Sequence, residues 1–128
     1  MMLAVIDTNV LVSAFWSKNG NPAKILDLVL TGKLKPCFDH RILIEYRTVL
    51  TRPRFEFSSS EADAVLQIIE EMGYSVVPEP LNISFIDEAD KKFYEVAKFC
   101  NAKLITGNMK HFPEDTDILT PADFLNTL

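Results

Sequence analysis

The chain has 128 residues, a length that fits a single domain over residues 1–128 with a proper hydrophobic core. Its hydrophobic fraction of 48% and charged fraction of 24% are ordinary for a folded protein and argue against disorder. No apolar stretch approaches the length of a membrane span, and no secretory leader is recognisable, so we expect a cytoplasmic protein without a membrane partner.

The net charge of −5 argues against unspecific capture of nucleic acid by the whole molecule. The charge is unevenly divided, because residues 1–54 carry eight basic and four acidic side chains, whereas residues 55–128 carry five basic and fourteen acidic ones. The basic half either faces a phosphodiester backbone or consists of solvated helix faces. The scattered positions leave both interpretations open.

Strand and helix patterns alternate along the chain with short connections, which is typical of an α/β fold. Strands are predicted at residues 2–6, 34–38, 74–77 and 103–106 and near Ile118. Helices are predicted after Asp7 to about Phe15, from Pro22 to near Gly32, from His40 to about Thr51, from Ser58 to Gly73, from about Asp87 to Cys100 and from Ala122, with a short helical turn after Asn108.

The first predicted strand ends in three polar residues in succession, Asp7, Thr8 and Asn9. A buried parallel strand delivers its last residue to the crevice beyond the carboxyl edge of the sheet, where α/β folds bind ligands. The alternative is that Asp7 caps the helix that follows. Capping explains one of the three polar side chains, so we favour a functional site.

In the helix predicted from Asp87 to Cys100, Asp90 lies along the flank of the apolar stripe. A carboxylate turned toward the core is costly unless a cation or a hydrogen-bond donor meets it there. The alternative is that Asp90 supports the helix start behind an Asp87 N-cap. The stripe consists of Ile86, Phe93, Val96, Ala97 and Cys100, and the other charged residues, Glu88, Lys91, Lys92, Glu95 and Lys98, fall away from it.

Glu45 repeats this pattern in the helix that follows His40, because it lies between Ile42 and Val49 at the edge of the apolar face. An exposed ion pair with Arg41 is the alternative, but such a pair contributes only about 0.3 to 0.5 kcal/mol. Two acids at the edges of apolar helix faces, together with the acid at the strand end, predict three carboxylates that converge on one cation.

A second strand end presents polar groups to the same edge of the sheet. Leu104 and Ile105 are followed by Thr106, Gly107 and Asn108. Asn108 either caps the short helix behind it or, with Thr106, holds a metal-bound water or a phosphate oxygen. A glycine between them allows a ligand to approach the backbone.

In this order and spacing the motifs resemble those of PIN-domain proteins, and specifically the VapC-like ribonuclease toxins of bacterial and archaeal toxin–antitoxin operons. The resemblance extends over essentially the whole chain. It is carried by residues 6–11, by Glu45 with Val49 and Leu50, by residues 87–93 with Ala97, and by residues 104–108 with His111 and Phe112.

The resemblance implies a PIN-like three-layer α/β/α sandwich with a central, mainly parallel sheet. It implies a ribonuclease that binds Mg²⁺ or Mn²⁺ through Asp7, Glu45 and Asp90 and cleaves RNA phosphodiester bonds with a metal-activated water. It also implies a cognate antitoxin as a protein partner, and a homodimer. Asn108 stands at a fourth catalytic position that is often Asp, Thr8, Asn9 and Thr106 position substrate or water, and Asp115 and Asp117 are candidates for the missing charge.

Two other classes of function compete with this hypothesis. Haloacid dehalogenase-like phosphatases also begin with a strand that ends in Asp, but they need a second Asp two residues later, where this chain has Asn9. The other alternative is a PIN-fold module that binds RNA or protein without catalysis, and Asn108 keeps it open. Neither His40 nor His111 pairs with a Ser or Cys in a hydrolase spacing, so a side-chain nucleophile is not expected.

Overall fold

The computed structural model describes residues 2–128, and its strands form one five-stranded parallel sheet in the order β3-β2-β1-β4-β5. The predicted α/β fold with a central parallel sheet is therefore confirmed. The strands are β1 (Met2–Ile6), β2 (Leu34–Phe38), β3 (Tyr74–Ser75), β4 (Lys103–Ile105) and β5 (Ile118–Leu119).

Helices occupy most of the connections between the strands. Short 3₁₀ turns lie at Pro53–Phe55, Glu88–Asp90 and Met109–His111. None of the helices in the described part of the chain is long and apolar enough to cross a membrane. The helices are α1 (Thr8–Trp16), α2 (Asn21–Leu30), α3 (His40–Leu50), α4 (Ser59–Met72), α5 (Lys91–Cys100) and α6 (Pro121–Asn126).

Both faces of the sheet are covered. Ala4, Val5 and Ile6 of β1 are each at most 1% exposed, although successive side chains of a strand point to opposite faces. Helix α5 packs against β1, β2 and β4, and α2 and α4 pack against β2. The continuous apolar run at the start of the sequence therefore corresponds to a strand buried between helix layers.

The direction in which successive strands are added to the sheet changes between β1 and β4, although all strands are parallel. From β1 the chain moves outward on one side through β2 to β3, and then returns to the other side through β4 to β5. Such a reversal opens a crevice at the carboxyl ends of the two strands, which is where open α/β sheets bind ligands. The residues that follow β1 and β4 are Asp7 and Thr106.

Gly73, which ends α4, is required by close packing. A Cβ atom at this position would lie 2.5 Å from the carbonyl oxygen of Pro36 and 2.6 Å from that of Ile69. The glycine thus lets the end of α4 approach β2, and the chain then enters β3.

The segment before α5 differs from the prediction. A 3₁₀ turn at Glu88–Asp90 precedes the α-helix, which begins at Lys91 rather than near Asp87. Ile86, predicted on the buried stripe, is 86% exposed, whereas Glu95, predicted on the exposed side, is 4% exposed. Strand β3 is also shorter than the predicted 74–77.

Candidate active site at the sheet switch point

Asp7 lies at the carboxyl end of β1 with its side chain turned inward. The residue is 6% exposed, and its backbone N–H donates to the carbonyl oxygen of Ile105 at 2.9 Å. The side chain makes no capping hydrogen bond at the start of α1. Its Oδ2 accepts a hydrogen bond of 2.7 Å from the Thr106 hydroxyl, so it contacts the end of β4 instead.

Helix α3 brings two adjacent side chains to the end of β1. Glu45 accepts a hydrogen bond through Oε2 from the hydroxyl of Thr8. The hydroxyl of the buried Tyr46 donates to the carbonyl oxygen of Ile6. These contacts fix α3 over the strand end, so that the Glu45 carboxylate adjoins the residue after Asp7.

Asp90 reaches the site from the start of α5, again without a capping hydrogen bond. Its Oδ2 lies 3.0 Å from Nδ1 of His111. That nitrogen is also 3.1 Å from Nδ2 of Asn108, whose backbone N–H donates to the Thr106 hydroxyl oxygen at 2.9 Å. A continuous set of contacts therefore connects Asp90 to Asp7.

Asn9 connects the two strand ends directly. Its Oδ1 accepts a hydrogen bond of 3.3 Å from the backbone N–H of Gly107. A Cβ atom on Gly107 would lie 3.6 Å from this oxygen, an ordinary van der Waals distance. Asn9 thus holds the end of β1 to the end of β4, and the local packing does not demand a glycine at position 107.

The carboxylates of the site act on one another electrostatically. Burial raises the pKa of Asp7 to about 6; the Thr106 hydrogen bond opposes this rise, and the charges of Asp90 and Glu45 add to it. Burial also raises the pKa of Asp90, with the hydrogen bond to His111 acting in the opposite direction. The crevice is therefore a place where negative charge is costly.

Two basic side chains lie against these acids. Nζ of Lys92 is 2.7 Å from Oε1 of Glu45, and the Lys92 side chain is only 12% exposed. His111 adjoins Asp90. Lys92 is predicted from the sequence on the exposed side of its helix. Helical periodicity gave no signal for the Lys92 contact, because its partner belongs to another helix.

Asp115 and Asp117 do not supply the charge that Asn108 lacks. Asp115 accepts from the Lys98 ammonium and, at 3.1 Å, from the Tyr94 hydroxyl. Asp117 pairs with Lys103, which begins β4 and so lies at the opposite edge of the sheet from Asn108. Each acid is already neutralised by its own lysine.

The seven residues predicted for the site lie at the ends of β1 and β4, on α3, or in the 3₁₀ turn that leads into α5. Within residues 2–128, however, no three Asp, Glu, His or Cys side chains stand close enough together to hold a metal ion as placed. Glu45 and Asp90 are turned toward Lys92 and His111. The predicted residues are Asp7, Thr8, Asn9, Glu45, Asp90, Thr106 and Asn108.

Comparison with known proteins agrees with this architecture. Residues 3–110 match the PIN domain family. The chain is also 36% identical over 108 residues to the uncharacterized protein MJ1680 of Methanocaldococcus jannaschii, an alignment that covers 81% of this chain and 69% of that protein. The region matched by the family contains the ends of β1 and β4, helix α3 with Glu45, and the turn with Asp90 that leads into α5. The chain thus belongs to the PIN-domain family, whose members share a nuclease-type fold.

Proposed function

We propose that the protein is a cytoplasmic endoribonuclease that depends on Mg²⁺ or Mn²⁺ and acts as the toxin of a toxin–antitoxin pair. The observation that carries the proposal is the position of Asp7. It is an almost fully buried acid at the sheet switch point, and the charges of Glu45 and Asp90 raise its pKa further. An anionic crevice of this kind favours a cation.

The donor atoms of the site suit a hard divalent cation. Mg²⁺ prefers oxygen ligands, keeps several waters and is typically held by one or two carboxylates together with substrate phosphate. Asp7, Glu45 and Asp90 would hold it, once Glu45 and Asp90 exchange their contacts with Lys92 and His111 for the ion. When bound, the metal acidifies a water and neutralises charge on the attacked phosphate.

The residues around the carboxylates have positioning roles in this proposal. Thr106 fixes the orientation of Asp7 through its hydroxyl, and Thr8 does the same for Glu45. Asn9 holds the two strand ends together, and Asn108 connects Thr106 with the His111 ring. No side-chain nucleophile is required, because a metal held by these residues would supply the activated water.

The proposal is tested by cleavage of a labelled single-stranded RNA with Mn²⁺, with Mg²⁺ and with EDTA. We expect EDTA and the substitution Asp7→Asn each to abolish cleavage, because the amide keeps the size of the side chain but loses its charge. The exposed Asp123 in the first turn of α6 offers a control, and Asp123→Asn should leave cleavage unchanged. Full metal-dependent cleavage by Asp7→Asn would place any nuclease activity elsewhere.

The toxin role, the antitoxin and the homodimer are separate parts of the proposal. Induced expression of the wild-type protein should arrest growth, and Asp7→Asn should relieve the arrest. Co-expression of a small reading frame adjacent to this gene should restore growth and yield a stable complex. Sedimentation of the purified protein tests the dimer, because a monomeric mass at every concentration would contradict it.

A binding module without catalysis is the second candidate, and the observation that favours it is Asn108 at a position where an acid is expected. The substitution Asn108→Asp separates the two functions. For a nuclease we expect cleavage by this variant to be equal to or higher than that of the wild type. For a binding module, RNA or protein binding persists in EDTA and no variant cleaves.

A further inference from the structure

An aromatic cluster, formed by Phe15, Trp16, Phe55 and Phe57, lies where the end of α1 meets the turn after α3. Trp16 is 62% exposed. Its ring meets those of Phe55 and Phe57 edge to face, with centroids 6.0 and 5.4 Å away. Phe55 and Phe57 stack on each other at 5.2 Å with an interplanar angle of 10°. The cluster therefore holds a large exposed aromatic ring in a fixed orientation.

Cationic side chains accompany the aromatic cluster. The Arg54 guanidinium lies 5.0 Å from the centroid of the Phe55 ring. Arg52 and Arg54 are exposed, and within residues 2–128 neither takes part in a salt bridge, unlike Arg41 and Arg47, which pair with acids. Even with the exposed Glu56 next to them, these two guanidinium groups give the cluster a net positive charge.

A groove runs along α3 from Arg52 to Glu45 of the candidate active site. Its volume is about 520 Å³, and its walls include Glu45 and Lys92 at one end and Arg52 at the other, with Thr48 between them on α3. The backbone N–H of Phe55 donates to the carbonyl oxygen of Arg52 at 3.1 Å, so the aromatic cluster begins where the groove ends.

We propose that the aromatic cluster with Arg52 and Arg54 is a binding site for single-stranded RNA, which extends from there along the groove to the carboxylates. One base stacks on the exposed face of Trp16, and Arg52 and Arg54 contact the flanking phosphates. Aromatic planes beside unpaired guanidinium groups are the combination by which proteins hold single strands without reading their sequence. This site assigns residues outside the carboxylate cluster that bind the substrate of the nuclease proposed above, and it rests on that function.

The strand state of the RNA follows from the geometry of stacking. The bases of a duplex are stacked on one another, so their faces are closed to an aromatic side chain, whereas the bases of a single strand are free. The groove on α3 carries three cationic side chains that suit a sugar-phosphate backbone, Arg41, Arg52 and Lys92, beside the acids Glu45 and Glu88 and the apolar Ile44, Val49 and Ala89. A protein partner on the cluster is the alternative that the experiment separates.

Trp16 is the only tryptophan of the chain, so its fluorescence reports on the proposed site without a label. The full chain is titrated with a short oligoadenylate in EDTA, where no metal-dependent cleavage occurs. We expect saturable quenching of Trp16 by the single strand and much weaker quenching by duplex RNA of the same length. Arg52→Ala should weaken the binding and lower the salt dependence by about one counterion.

A labelled oligoadenylate followed by anisotropy measures the variant that lacks the fluorophore. Trp16→Ala should bind about tenfold more weakly than the wild type. Lys33 lies just before β2, at the opposite edge of the sheet from the site. Lys33→Ala removes one positive charge, as Arg52→Ala does, and should bind like the wild type.

If oligoadenylate leaves the Trp16 fluorescence unchanged while the protein cleaves RNA with a metal, the proposed binding site is wrong and the proposed nuclease function is not affected. If the wild-type protein neither binds oligoadenylate nor cleaves RNA, both proposals are wrong. If Trp16→Ala changes the mass of the protein in sedimentation and leaves oligoadenylate affinity unchanged, the cluster is a protein–protein surface and the proposal is wrong.

Discussion

Nζ of Lys92 lies 2.7 Å from Oε1 of Glu45, across the interface between α5 and α3. The positively charged ammonium group of Lys92 therefore lies beside Glu45, an acid proposed to bind a metal. The Thr8 hydroxyl donates to the other oxygen of the same carboxylate. Both oxygens of Glu45 are therefore engaged by the protein itself, and a divalent ion has to compete with Lys92 for this ligand.

Lys92→Met keeps an unbranched side chain, one heavy atom shorter, and removes its charge. We expect the metal-free variant to lose about 1 to 2 kcal/mol of unfolding free energy, since Glu45 is left partly buried without a counterion. Mn²⁺ should then raise the melting temperature by more than it does in the wild type, because no ammonium group competes with it. Thermal unfolding with EDTA and with Mn²⁺ measures both effects.

The control for Lys92 is Lys103→Met, which breaks the pair of Lys103 and Asp117 at 2.6 Å. Both of these side chains are more than 40% exposed, so the loss should stay below about 1 kcal/mol. An equal Mn²⁺ shift in Lys92→Met and in the wild type would show that Lys92 does not compete for the site.

Asp7→Asn should stabilise the metal-free protein at neutral pH. The pKa of Asp7 is raised from 3.8 to about 6 in the folded state, so the folded protein holds a proton that the unfolded chain releases. The free energy of unfolding therefore falls as the pH rises from 3.8 to about 6. Asn does not ionise and still accepts the Thr106 hydrogen bond, so its advantage reaches at most about 3 kcal/mol above about pH 7.

Urea unfolding in EDTA at a series of pH values measures this difference. The two proteins should converge below about pH 4, where Asp7 is protonated in both the folded and the unfolded state. A variant less stable than the wild type at neutral pH would mean that the Asp7 charge stabilises the fold, and the crevice would then not disfavour negative charge.

Thr106→Val removes a fully buried hydroxyl that takes part in two hydrogen bonds, one as donor and one as acceptor. Without it the Asn108 N–H has no acceptor and Asp7 loses a donor, so we expect a loss of about 1 to 3 kcal/mol in urea unfolding. The Thr106 hydrogen bond lowers the pKa of Asp7, so its loss should move the acidic limb of the cleavage profile to higher pH. Thr106→Ser should restore both properties.

Glu95→Ala should destabilise the protein by about 2 to 4 kcal/mol, because it removes an acid that is 4% exposed and is bonded both to α3 and to the irregular segment before α5. Glu95 accepts from the Arg41 guanidinium at 3.0 Å and from the backbone N–H of Leu81 at 2.8 Å. The exposed Glu70 of α4 provides the control, since Glu70→Ala should change the unfolding free energy by less than about 0.5 kcal/mol.

Acidic residues at element boundaries show where sequence patterns stop being decisive. Asp7, Asp39, Asp87 and Asp90 all precede helical segments and qualify equally as N-caps. In the structure Asp39 accepts from the Ile42 N–H and Asp87 from the Ala89 N–H. Asp7 and Asp90 make no capping bond and turn to Thr106 and His111 instead. An acid before a helix either caps that helix or contacts a residue far away in the sequence. The local sequence shows the capping option alone, because the distant partner is brought close only by the fold.

The sequence by itself determined the parallel α/β architecture and the placement of Asp7 and Thr106 at the same edge of the sheet. Short apolar runs alternate with helical periodicity, and the carboxyl ends of parallel strands lie at one edge of a sheet. Tertiary structure alone decided that Glu95 is buried and that Lys92 faces Glu45. Periodicity fixes the angle of a side chain around its own helix axis, but the neighbouring elements decide which part of that circumference is covered.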